Sequence, residues 1–147
     1  MQFLNKLCTV HGDRHPELFA IREEFQACAQ AIAAHMKKEE LALFPFINQL
    51  EKARSHDLPA PSPHFGTVEN PIAMMEHEHD AEGERFRRIA ELSGNYTNPP
   101  DGCTTYGTAY AMLREFEEDL HRHIHLENNI LFPRAKALEK ELRHATA

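Results

Sequence analysis

Residues 35–45 read HMKKEELALFP, and residues 123–133 read HIHLENNILFP. Aligned on their first residues, both spell H-x-x-x-E-x-x-x-L-F-P, 88 positions apart. In a chain of this composition chance alone supplies roughly 1.3 His-x-x-x-Glu pairs, so the two pairs by themselves say little. The recurrence of the whole string is far less accidental, and its surroundings decide the fold. Upstream of the first copy, Phe25, Cys28 and Ile32 lead to His35 and Glu39 at spacings of three and four, and Leu43 and Phe46 continue the series. That is one face of a helix. Upstream of the second copy, Tyr106, Tyr110, Leu113, Phe116 and Leu120 lead in the same way to His123, Glu127 and Ile130. Between the two copies, Ile72, Met75, His79, Phe86 and Ile89 mark a third amphipathic helix opened by Pro71.

The rest of the chain fits an all-α architecture. SHDLPAPSPHFG and SGNYTNPPDG are Pro- and Gly-rich, lack any period and read as loops. No segment shows strand alternation with hairpin turns. Long helices are therefore expected over 13–54, 67–94 and 102–144, with a bend near Pro45, packed antiparallel as a bundle. Residues 1–11 read as the end of a further helix.

Composition narrows the function. The 147 residues fit one domain, and the formal charge of −7 argues against a nucleic-acid or anionic-membrane surface. No apolar run approaches the length of a membrane span, and the N-terminus lacks the form of a signal peptide. Cys8, Cys28 and Cys103 are odd in number and far apart, which points to a reducing cytoplasm rather than a disulfide framework. The eleven histidines are the one oddity, and they point toward metal.

His35 and Glu39 continue an apolar stripe, as do His123 and Glu127, so each pair should face the core. Buried carboxylates need compensation. A cation held by carboxylates and neutral imidazoles supplies it, and a hydrogen-bonded polar core is the competing explanation. His79 shares the inward stripe of its helix, whereas His77 does not. Gly83, one turn beyond His79, leaves room on that face. His121 and His125 lie roughly 200° around the helix from His123 and should be solvated. The same holds for His15, His56, His64, His77 and His144.

At these residues the chain resembles the hemerythrin-like di-iron domain of the repair-of-iron-centres (RIC, YtfE/ScdA-type) family. VHGDRHPEL, HMKKEELALFP, EHDAEGE, PPDGCTT and HLENNILFPRA carry the resemblance along nearly the whole chain, 1–147. It implies an antiparallel four-helix bundle holding two non-haem iron ions with an oxo or hydroxo bridge. It adds His11 as a metal ligand beside His35, His79 and His123, with Glu39 and Glu127 bridging. The His-x-x-x-Glu order separates this site from ferritin-like bundles, which use Glu-x-x-His.

The family places another histidine ligand on a first helix upstream of VHGDRHPEL, and Met1 stands downstream of it. On that reading residues 1–11 are a remnant, the first helix is largely missing, one iron is a ligand short, and an apolar groove invites self-association. The implied function is repair, in the cytoplasm, of iron–sulfur clusters damaged by nitrosative or oxidative stress, through iron donation to the damaged proteins. The alternative is binding or reduction of nitric oxide or oxygen species at the same centre.

Overall fold

The computed structural model describes residues 1–145. Every regular element among them is helical: α1 (Gln2–His11), α2 (Glu17–Lys38), α3 (Phe44–Ser55), α4 (Glu69–Leu92), α5 (Thr104–Leu126) and α6 (Phe132–Ala145). Two five-residue π turns join four of these helices into two pairs. Glu39–Leu43 lies between α2 and α3, and Glu127–Leu131 lies between α5 and α6. No helix among the described residues is long and apolar enough to cross a membrane.

The π turns are the main departure from the expected helices, and the repeated Leu-Phe-Pro explains them. Pro45 and Pro133 each sit in the first turn of the next α-helix. A proline inside a continuous α-helix has no N–H to give, and its ring clashes with the carbonyl four residues back. Here the chain widens just before it. The Phe44 N–H donates to the Glu39 carbonyl, and the Phe132 N–H to the Glu127 carbonyl, five residues back in each case. Such single π turns are frequent at functional sites. The extra residue also rotates the helix downstream of it. Ile130, expected on the inward face, is 40% exposed, and Phe132 is buried in its place.

The chain divides into two compact units. The first comprises Met1–Ile32 and Ala81–Arg122. Its core includes a phenylalanine group: Phe86 stacks on Phe116 at 5.4 Å between ring centroids, and Phe25 meets both edge-on. On its surface the Glu24 carboxylate accepts two hydrogen bonds from Arg88, at 2.9 and 3.0 Å, and one from Arg85 at 3.3 Å. Gly12 allows α1 to turn toward α2, because a Cβ there would lie 2.3 Å from the Cys8 carbonyl oxygen and 2.6 Å from the Phe19 ring. Cys28 is fully buried, and burial with the neighbouring Glu82 carboxyl pushes its thiol far above the ordinary range. An apolar cleft opens between Met1, Phe3, Phe25, Met112 and Phe116.

Among the described residues the second unit comprises Ala33–Asp80 and residues 123–145. Its apolar core draws Leu43, Phe46 and Leu50 from the first repeat and its following helix, Ile72 and Met75 from α4, and Phe132, Ala135, Leu138 and Leu142 from the second. The loop between α3 and α4 is tied down at its end by buried Glu139. That carboxylate accepts the Val68 N–H at 2.9 Å and the Thr67 hydroxyl.

Candidate metal centre

The second unit also holds the polar group that the repeats deliver. His35 near the end of α2 and Glu39 at the start of the first π turn face inward, 5% and 2% exposed. His79 on α4 is 3% exposed and Glu127 at the start of the second π turn 5%. His123, near the end of α5, is the half-open member. One donor atom from each of the five lies within 4.8 Å of the others. Spacing of four puts each His above its own Glu: His35 Nε2 stands 2.9 Å from Glu39 Oε1, and His123 Nε2 stands 2.7 Å from Glu127 Oε1. His79 Nε2 lies 3.0 Å from Glu127 Oε1 and 3.1 Å from His35 Nε2.

The outer nitrogens decide what these contacts are. His35 Nδ1 lies 2.8 Å from Glu78 Oε2, and a carboxylate only accepts, so Nδ1 carries a proton. His79 Nδ1–H donates to Asn128 Oδ1 at 2.8 Å. In a neutral imidazole the other nitrogen then presents a lone pair. In their neutral forms the inward Nε2 atoms of His35 and His79 therefore aim lone pairs at one another and at carboxylate oxygens. Glu39 Oε1 and Glu127 Oε1 are buried without a hydrogen bond of acceptable geometry, although imidazole nitrogens lie close to both. Proximity without a proton between acceptors is repulsive, and a cation at the centre removes the repulsion. The nitrogen separation suits one. Two nitrogens at about 2.1 Å from a shared ion and at right angles to each other lie about 3.0 Å apart. Three imidazoles and two carboxylates form a borderline-to-hard set that fits a divalent transition metal.

Electrostatics agree. Burial pushes the Glu39 carboxyl above its ordinary range, and nearby Glu127 adds to the shift. Burial acts the same way on Glu127, but the hydrogen bond from His123 opposes it and the carboxyl is pulled down to about 2. Glu127 raises His123, against burial. For His35 burial works downward, and Glu39 with Glu78 more than offsets it, so the ring is raised. One negative charge is thus well supported inside the group, and the second is strained.

A family model described as the hemerythrin HHE cation-binding domain matches residues 1–135. The chain belongs to this hemerythrin family. Its all-helical architecture is that of a hemerythrin-like helical bundle. Among its relatives in the family are proteins named iron-sulfur cluster repair protein YtfE. The one from Musicola paradisiaca is 38% identical, over 85% of this chain and 59% of that protein. The one from Yersinia pseudotuberculosis is 37% identical, over 88% and 53%. The one from Edwardsiella ictaluri is 41% identical, over 78% and 46%. This hemerythrin domain thus spans about half the length of the curated relatives it matches.

Of the six ligands expected, the structure gathers His35, Glu39, His79, His123 and Glu127. It does not gather His11 with them. That residue ends α1 in the other unit, where its Nε2 stands 3.3 Å from Cys103 Sγ and its ring meets Tyr106 edge-on. His77, His121 and His125 are exposed. A Cβ on Gly83 would meet nothing within 4 Å, so packing does not require glycine there. Three supporting residues escaped the sequence reading. Glu78 holds His35, Lys38 bonds Glu78, and Asn128 holds His79. Despite burial, Lys38 and His35 keep the Glu78 carboxyl below its ordinary range. All three lie off the inward stripes, where periodicity is silent. Their one signal is adjacency, since Glu78 and Asn128 each neighbour a ligand in sequence.

Proposed function

We propose that this hemerythrin domain holds two iron ions at His35, Glu39, His79, His123 and Glu127, and serves in the repair of damaged iron–sulfur clusters by giving up iron. The convergence of five donor residues, with two buried carboxylate oxygens left without a hydrogen bond, carries the reading. The named activity of the relatives supports its second half. His11 would join the set by the family resemblance. When bound, iron in this ligand set supplies redox change and an open position for small ligands.

The chain's own contribution is to hold and to release. Glu39 and Glu127 offer the charge. Glu78 and Asn128 fix the outer protons of two imidazoles. His123, 38% exposed at its side chain, leaves one edge of the group in reach of solvent. Donation needs such an edge. The same edge supports a second reading, in which nitric oxide or an oxygen species is bound or reduced there.

The test is iron content per chain after purification without air, followed by incubation with a cluster-depleted iron–sulfur protein. Two irons per chain, and loss of iron matched by cluster recovery in the client, is the expected result. Retention of all iron while nitric oxide is consumed with a supplied electron donor would favour the second reading. Absence of bound iron would sink both.

A further inference from the structure

His79 is gripped on three sides by one short segment. Its Nδ1–H donates to Asn128 Oδ1 at 2.8 Å, its Nε2 lies 3.0 Å from Glu127 Oε1, and its ring stacks on Phe132 with 5° between planes and 6.0 Å between centroids. Residues 127, 128 and 132 belong to the second π turn and its cap. In a regular α-helix, positions one and five beyond Glu127 would be turned about 100° and 140° away from it. They would not converge on one ring. The π turn changes this, because the Phe132 N–H donates to the Glu127 carbonyl and brings position 132 back over 127. His35 has no such grip from its own repeat, and its outer nitrogen is held from α4 by Glu78.

We infer that Asn128 and Phe132 are positioning residues for His79, and that the second π turn serves to bring Phe132 to its ring. Asn128 fixes the proton on Nδ1, which leaves the Nε2 lone pair facing the cation position. Phe132 fixes the plane of the ring. The inference rests on the reading of this group as a metal centre, but its first test does not. A hydrogen-bonded imidazole keeps one tautomer, and a released one populates both. Outer partners of this kind are worth about 10- to 100-fold in metal affinity.

The experiment uses the full chain with 15N-labelled histidine. In the metal-free protein, imidazole 15N shifts should report a single Nδ1–H tautomer for His79. Asn128→Ala should give a mixture of tautomers, and Asn128→Asp, which keeps the acceptor, should restore one. Phe132→Leu should keep the tautomer. With ferrous iron loaded anaerobically, release into a chelator should quicken about 10-fold or more in Asn128→Ala and stay near the parent rate in Asn128→Asp. Phe132→Leu should release iron faster than the parent. An unchanged tautomer in Asn128→Ala would overturn the inference. So would equal losses in the alanine and aspartate variants, which would mark Asn128 as structural only. If the tautomer responds and no variant, nor the parent, binds iron, the metal reading fails and the assignment of Asn128 stands.

Discussion

Glu127 is the hinge of the centre. Its Oε1 lies within 3.0 Å of both His79 Nε2 and His123 Nε2, whereas Glu39 Oε1 pairs with one imidazole among the described residues, that of His35. Glu127→Gln should therefore weaken iron binding more than Glu39→Gln, each by at least about tenfold, read by equilibrium dialysis with ferrous iron. His121→Ala and His125→Ala should leave binding unchanged, since both side chains point to solvent. A loss of metal in either would mean that the inward face has been misassigned. The inward residues were open to sequence reading because each sits in an apolar stripe where a charge is out of place. Glu78 and Asn128 were not, because a polar residue off the stripe looks like any solvated one. His11 rests on the resemblance alone, since no apolar stripe marks it, and within the first unit its side chain meets Cys103 and Tyr106.

The helices themselves arise from period and punctuation, and their inward faces largely match burial. Cys28, His35, Glu39, Leu43 and Phe46 are all buried, as are Ile72, Met75, His79, Phe86 and Ile89. A one-residue slip is beyond the reach of period. A 3.6-residue template carries Ile130 inward, and only the backbone chemistry of Pro133 explains why Phe132 arrives instead. The repeated Leu-Phe-Pro was thus visible, but its backbone role was not. Pro133→Ala lets the chain return to an α register. It should turn Phe132 off His79 and hasten iron release about tenfold, with helical content by circular dichroism preserved or slightly raised. In the other unit, Phe86→Ala empties a fully buried site packed against Phe25 and Phe116. It should cost about 3–5 kcal/mol in chemical denaturation.

Stability of the chain as a whole should depend on its metal and on acid. A ligand that binds only the folded state at a hundred times its Kd adds about 2.7 kcal/mol, so chelation should lower the unfolding midpoint. On the acid side, Arg88 beside Glu24 holds that carboxyl below its ordinary value of 4.5, with burial opposing and Arg85 assisting. A lowered carboxyl stabilises the fold above the unfolded value and loses that contribution as pH falls through the folded one. Glu24→Gln should remove about 0.5–1 kcal/mol at neutral pH and flatten the acid limb of the stability profile below pH 4.5. The gathered lone pairs have a further consequence in the exchange of hydrogen ions with solvent. Without a cation, Glu39, His35 and His123 all favour their protonated forms more than free side chains do. On the proposed function, iron entering the group would have to expel the protons they hold. Its binding heat should therefore change with the ionisation enthalpy of the buffer, and the slope of that dependence counts the hydrogen ions each loading event sets free.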